Sequence, residues 1–287
     1  MTVVPVDLAQ LPPPDVVEPV SYAQIRDELI ADLIERMPSL EPTLALESEP
    51  LRKLAEAFAY RLMLTVQRIN DAARATMLAY ARGSDLDHLA ALFGVSRLAG
   101  EDDDRLRKRV QLTPDGWSVA GPAAAYRVRA LAVSVEVRDA LATSPAPGDV
   151  TVTVLATDGD GTPSPALLAA VDAALSADTV RPLTDRVTVA APTIVRYQVV
   201  ARLRVYPGPD QAVVTAAARA AVDAYVTAQR QLGRTVAVSG LMRALHQEGV
   251  ERARLIEPTA DISPAKNAAG YCELIDVAIE TDGPGNG

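Results

Sequence analysis

Apolar residues recur at helical spacing over the first third of the chain and alternate with polar ones over much of the remainder. From Ser21 onward, Ile25, Leu29 and Leu33 return every four residues until Pro38 ends the run, which predicts a helix. Pro42 and Pro50 bracket a short connector. The longest run then extends from about Leu51 to Ala81. Its apolar line is Leu51, Leu54, Phe58, Leu62, Val66, Ile69, Ala73, Met77 and Tyr80, in steps of three and four. Ala57, Leu64, Ala75 and Leu78 form a second line that widens the face. A helix of that length would measure about 45 Å, well beyond an ordinary globular helix. The helices beside it are too short to cover both lines, so a helix from another chain is expected to pack there.

The next stretch, Gly83 to Arg109, predicts two short, well-marked helices. Ser84 followed by Asp87 reads as a capping box, with Asp85 and Asp87 also favoured by the dipole of a helix start. Leu86, Leu89, Ala90 and Phe93 make one apolar face, and Gly94 fits a left-handed C-cap with Val95 packing back. Glu101 to Asp104 followed by Arg105, Arg107, Lys108 and Arg109 open a second helix, with i,i+4 pairs Asp103–Arg107 and Asp104–Lys108.

Beyond Val110 the grammar changes. Gly116-Trp117 and Gly121-Pro122 punctuate the chain before a helix at Ala123 to Ala132. Strands are expected where Val133, Val135 and Val137 alternate with polar residues to Arg138, at Asp149 to Ala156, and at Arg186 to Ala190. A helix is expected from Pro165 to Ala177, with Leu168, Val171, Ala174 and Leu175 inward. A second unit follows: a long strand from Thr193 to Val205, an Ala-rich helix from Gln211 to Gln229, and a helix from Val238 to Gln247 capped by Ser239. Strands at Arg252 to Glu257 and Glu273 to Glu280 complete it. Helix, strand, strand at 123–156 thus recurs at 239–280, suggesting two related modules. The fold class is α+β. A helical N-terminal domain with one long helix precedes two small α/β modules with mostly antiparallel sheets. The expected divisions are a proline-rich arm at 1–19, extended along a neighbour or else a disordered tail, a helical domain at 20–114, and modules at 115–192 and 193–287.

Composition narrows function mainly by exclusion. The net charge of −9 offers no attraction for phosphate, so nucleic acid and anionic membrane surfaces are not expected partners. Aromatics make up only 4% of the chain, so its cores must be built from Ala, Val and Leu. No run approaches the ~20 apolar residues of a membrane span, and the first residues lack the pattern of a secretory signal, which fits a protein kept in its producer's cytoplasm. The single cysteine, Cys272, excludes an internal disulfide framework and a cysteine-based zinc site. His88 and His246 lie in opposite halves, with His88 expected to be solvated or capping. Asp158-Gly159-Asp160-Gly161-Thr162 has part of a calcium loop's spacing without its remaining ligands, and reads as a tight turn. Arg181 has the chemistry to bind an anion, but is expected instead to form a structural salt bridge with Asp185 or to bond a strand-edge carbonyl. No phosphate loop or HExxH motif is present. An enzyme is not expected, nor a cofactor, metal or small-molecule substrate.

Gly83, Asp85, Leu86, Asp87, Leu89, Ala90, Gly94, Val95 and Arg97, followed by Glu101, Asp103, Leu106, Arg107 and Arg109, resemble the central signature of the baseplate J-like proteins. These are wedge components of contractile phage tails, tailocins and related injection systems. Gly121-Pro122 with Tyr126, Pro147-Gly148 before the VTVTV strand, and Arg181-Pro182-Leu183-Thr184-Asp185 look like further landmarks of that family. The resemblance runs from about residue 20 to the C-terminus. It implies a structural protein of a virion or particle baseplate, assembled in the bacterial cytoplasm. It also implies a helical part that bundles with other wedge proteins (tail protein I-like and gpW-like subunits), and α/β modules that meet further copies of the chain in a ring around the hub. The bundling face would be Leu51, Leu54, Phe58, Leu62, Val66, Ile69, Ala73 and Met77. The rival reading from the same residues is a small-molecule-binding regulator with its ligand between the paired modules.

Overall fold

A computed structural model describes residues 6–12, 14–117, 123–177, 185–208 and 210–280. The chain separates into two compact units. One is built from Val4–Arg97 and Asp102–Gln111, the other chiefly from Leu98–Glu101 and Leu112–Gly287.

The first unit is helical. Helix α1 (Tyr22–Arg36) is capped by Ser21, whose hydroxyl accepts the Gln24 N–H at 3.4 Å. A 3-10 turn at Pro38–Leu40 and the short α2 (Glu41–Leu44) lead to α3 (Pro50–Ala75), with Pro50 in the first turn, where its missing N–H costs nothing. Helix α3 ends six residues before the expected Ala81. The Thr76 hydroxyl donates back to the Ala73 carbonyl at 2.8 Å, a bond that competes with helix continuation. The carbonyls of Leu78 and Ala81 accept instead from the Arg107 guanidinium, at 2.7 and 2.8 Å. Beyond the helix end, an arginine far along the sequence thus satisfies oxygens that a continued helix would have bonded to its own amides.

Helices α4 (Gly83–Leu92) and α5 (Asp103–Gly116) follow, with Ala81, Leu86, Ala90, Leu106 and Val110 forming their buried cluster. The proline-rich arm, expected to be extended or else a disordered tail, contains a 3-10 turn at Leu8–Gln10. Two side chains tether it. Buried Asn70 accepts the Glu18 N–H at 3.0 Å and donates to the Glu18 carbonyl at 2.8 Å, while Gln111 donates to the Val6 carbonyl at 2.9 Å.

The second unit holds two three-stranded sheets. Helix α6 (Ala123–Leu131), strands β1 (Val137–Ala146) and β2 (Asp149–Ala156), helix α7 (Pro165–Ser176) and strand β3 (Arg186–Ala190) make the first module. Its core contains Tyr126, Val137, Val152, Val154, Leu167, Val171 and Leu175. Strand β4 (Thr193–Val205), helices α8 (Gln211–Gln229) and α9 (Val238–Leu245), and strands β5 (Val250–Glu257) and β6 (Ala268–Ile279) make the second. Its core joins Val199, Ala201 and Leu203 to Val214, Ala218, Val222, Leu241 and Leu245.

Both sheets are mixed rather than mostly antiparallel. β1 and β2 run antiparallel while β2 and β3 run parallel through the α7 crossover. β4 lies between an antiparallel β5 and a parallel β6. The recurring helix–strand–strand pattern is not one repeated topology. β1 and β2 pair as a hairpin, whereas β5 and β6 are separated by β4. The first strand also starts later than the valine alternation suggests. Val133 and Val135 belong to a turn in which the Ser134 hydroxyl accepts the Glu136 N–H at 3.1 Å and the Val135 carbonyl accepts the Thr157 hydroxyl at 3.0 Å. Pairing with β2 then carries β1 through Ala140 and Ala142 and on to Ala146, although alanine has a weak strand preference. Ser239 caps nothing. The α9 start is Ala237, and the Val238 N–H donates to the Asp261 carboxylate at 2.8 Å.

Candidate interaction surfaces

The residues of the sequence signature form a structural knot. Helix α4 begins after an extended Arg82, without a capping side chain of its own, so Ser84 and Asp87 do not form the expected capping box. Asp103 reaches across from the first turn of α5 and accepts the Gly83 N–H on Oδ2 at 3.1 Å. Its other oxygen accepts from Arg97 Nη2 at 2.7 Å. Arg97 Nε donates to Asp87 at 2.7 Å, and the same guanidinium reaches the Gly83 carbonyl at 3.3 Å. The two aspartates therefore hold one arginine between the two helix starts. The Gly83 amide, followed by Arg97, keeps the Asp103 carboxyl below its ordinary value against the opposing effect of desolvation.

The close partners are not the expected i,i+4 ones: Asp103 is engaged by Gly83 and Arg97, and Asp104 pairs with Arg107 at 2.7 Å, one position closer. Gly94 does take the left-handed conformation, with φ of 70°. The Gly94 and Val95 amides donate to the Ala91 and Ala90 carbonyls, both at 3.0 Å, the bond pattern of a Schellman stop. Leu86 is fully buried, Leu89 packs at the edge of the same cluster, and Asp85 is exposed in the first turn of α4.

The long helix presents its large apolar side chains outward. Leu54, Phe58, Leu62 and Ile69 are 52, 59, 47 and 58% exposed. Leu51, Val66, Ala73 and Met77, from the same expected line, are half-buried. The buried positions of α3 are Ala55, Ala59 and Asn70, which lie about a quarter turn around the helix from that row. Helix α1 packs on α3, whose fully buried apolar positions are alanines, and the large side chains of the row stay outward. Sequence periodicity finds the apolar stripe but does not say which edge of it the chain's own helices cover.

In the α/β unit the two modules exchange arginines. Arg138 at the start of β1 donates to the Thr227 and Arg230 carbonyls at the end of α8, at 2.6 and 2.8 Å. Arg230 returns a hydrogen bond to the Gly159 carbonyl at 2.6 Å and lies 5.2 Å from the Tyr271 ring. Buried Asp139 accepts the Leu232 N–H at 3.1 Å and pairs with Arg127 at 2.9 Å. Burial lowers the Arg138 pKa, and the neighbouring Arg230 charge adds to this. Sequence reading missed this junction. Its one local signal is the charged pair Arg138-Asp139 where an inward strand position was due.

A cleft of about 410 Å³ lies beside the junction, lined mainly by Leu112, Ala124, Ala140, Ala142 and Leu232, with Arg127 and Lys266 at its polar side. The Asp158–Thr162 loop is a turn in which Asp160 accepts the Thr162 N–H and pairs with Arg196. Among the described residues no group of three or more His, Cys, Asp or Glu side chains could hold a metal ion, and no helix is long and apolar enough to cross a membrane. Asp185 accepts the Tyr126 hydroxyl at 2.6 Å. Arg181 and Pro182, with the Arg181–Asp185 pair expected of them, lie outside the described residues, as do Gly121 and Pro122.

Comparison with known proteins covers nearly the whole chain. Residues 47–104 match the Baseplate J-like N-terminal domain, residues 118–191 the Baseplate J-like central domain and residues 197–277 the Baseplate J-like protein C-terminal domain. Baseplate protein J of Escherichia phage P2 is 42% identical over 287 residues, spanning 93% of this chain and 95% of that protein. Among solved structures there is a likeness to the baseplate of the anti-feeding prophage (AFP) in a six-fold symmetrised cryo-EM structure, at 17% identity and a TM-score of 0.41. It covers 63% of this chain and 43% of that one. With the three J-like domains matched in chain order and a phage J protein aligned almost end to end, the chain belongs to the baseplate J-like family and is a structural component of a phage-type baseplate.

Proposed function

We propose that the protein is a wedge subunit whose α3 stripe bundles with a helix of another wedge protein, of the tail protein I-like or gpW-like kind. In this reading the arm (1–19) and the helical part (20–114) dock the subunit into its wedge. The two α/β modules (115–192 and 193–287) meet further copies of the chain in a ring around the hub. Its role is mechanical, with neither a substrate nor a reaction.

The observation that carries this reading is the row Leu54, Phe58, Leu62 and Ile69, each about half exposed on the longest helix. At roughly 1.5–3 kcal/mol for complete burial of each such side chain, covering the exposed half of all four would contribute about 3–6 kcal/mol to association. The test is co-expression with the candidate wedge partners, comparing the native chain with Phe58→Asp and Leu62→Asp. Leu92→Asp on α4, at a site 78% exposed in the free chain, is the control. The α3 variants should lose co-purification and particle assembly while remaining folded, and the control should retain both. Equal binding by Phe58→Asp, Leu62→Asp and the native chain would remove the basis for the bundle. The regulator alternative rests on the cleft between the modules, where Asp115, Arg127, Thr143 and Lys266 stand among Ala and Leu, a lining that points to no particular ligand, whereas the α3 row calls for an apolar helix face.

A further inference from the structure

Strand β1 has an open edge. Among the described strands it pairs with β2 alone. The second module closes the start of its other side. There Asp139 accepts the Leu232 N–H at 3.1 Å on one carboxylate oxygen and the Ala140 N–H at 2.9 Å on the other. The Ala140 amide therefore points away from β2. By the alternation of an antiparallel pair, the N–H and carbonyl of Ala142 point the same way. They face the cleft of about 410 Å³, whose lining includes four consecutive residues of β1, 140–143. Ala142 is only 7% exposed. Backbone polar groups at so buried a position require hydrogen-bonding partners, and an open edge beside a partly apolar slot is the geometry that accepts an added strand.

The chain supplies a strand at that place. Gln111 holds the Val6 carbonyl at 2.9 Å, and it is followed on α5 by Leu112 and Asp115, both in the cleft lining. One helical turn, about 6 Å, separates Gln111 from Asp115. Ahead of Val6 the sequence reads Met-Thr-Val-Val-Pro. Thr2, Val3 and Val4 are β-branched and favour extended chain, while Pro5 lacks the N–H that a ladder would use. Five extended residues reach up to about 17 Å, against roughly 13 Å for the four edge residues of β1. The valines also suit the apolar part of the lining, formed by Leu112, Ala124, Ala142 and Leu232.

We propose that residues 2–4 add to the open edge of β1 as a further strand of the first sheet and fill the cleft of their own chain. Main-chain hydrogen bonds to Ala142 hold the strand, and the valines exclude water from the slot. The occupant comes from the same chain because its tether stands one helical turn from the cleft, which gives it a high effective concentration there. The rest of the arm, from Asp7 onward, is left to the wedge contacts. The proposal does not depend on the α3 bundle.

Amide hydrogen exchange of the full chain tests it. Three chains are compared: native, Val3→Asp with Val4→Asp, and Val16→Asp, a control at an arm position 55% exposed. The Ala142 amide should be protected in the native chain and in the control. It should exchange at least about tenfold faster in the double variant, with the β4 amides unchanged as the check on folding. A second measurement joins Val3→Cys to Thr143→Cys with a short bismaleimide, in a Cys272→Ser background and in dilute solution. Mass mapping of the linked peptides should place the cross-link within one chain.

Native-like protection of Ala142 in the double variant would overturn the proposal, as would the absence of any cross-link. Cross-links found only between chains would overturn it too, assigning the edge to the arm of another copy. Protection that appears only when a wedge partner is added would give the edge to that partner instead. Phe58→Asp and Leu62→Asp should leave the Ala142 protection intact, so loss of the bundle and loss of this strand are separate results.

Discussion

Replacing Asp103 with alanine should open the start of α4, whereas replacing Ser84 should not. Asp103 accepts the Gly83 amide at 3.1 Å and the Arg97 guanidinium at 2.7 Å. Loss of a helix-start acceptor costs about 1 kcal/mol. A partly exposed ion pair adds roughly 0.5 kcal/mol, since the Asp103 side chain is 32% exposed and Arg97 keeps its second aspartate, Asp87. The total of about 1.5 kcal/mol corresponds to roughly tenfold more local opening. Ser84→Ala should be neutral or slightly stabilising, because Ser84 lies within the first turn and alanine is the better helix former.

Amide hydrogen exchange at residues 83–87 reads that opening directly, whether or not the second unit unfolds with the first. The effect should depend on pH. The folded-state pKa of Asp103 lies below its ordinary 3.8, so its contribution is fully present above that value and is lost as pH falls through the depressed one. Asp103→Asn should flatten this acid dependence. If Ser84→Ala raises exchange as much as Asp103→Ala does, the assignment of the cap across twenty residues of sequence is wrong.

Gly94→Val should destabilise the helical unit by about 1–2 kcal/mol, because φ of 70° forces a β-branched residue into the left-handed region, and a lowered urea midpoint would register it. Arg138→Ala should cost about 2 kcal/mol by removing two charge-assisted bonds to carbonyls at the end of α8. That loss should appear as faster amide exchange at residues 227–232, with the α3 and α4 amides unchanged.

Much of the fold is legible from short-range pattern. Strands β2, β3 and β4 and helix α8 lie where alternation and helical spacing place them, because each has a regular period and a clear break at either end. Gly94 is equally legible, since a helix followed by Gly-Val encodes its own stop within six residues. The apolar stripe on α3 and the family landmarks around residues 83–109 are likewise written locally.

What the tertiary structure decided has a common physical cause, namely partners distant in the chain. Arg107 takes the carbonyls of Leu78 and Ala81 beyond the end of α3, and Asp103 caps α4 in place of the nearby Ser84. Packing buries Ala55 and Ala59 on α3 and leaves Leu54, Phe58, Leu62 and Ile69 outward, a choice that periodicity alone leaves open. Pairing with β2 moves the first strand past its valines, and the placement of β4 between β5 and β6 makes that sheet mixed. Local spacing determines which residues share a face. Only packing determines which faces the chain covers itself and which it leaves for another protein.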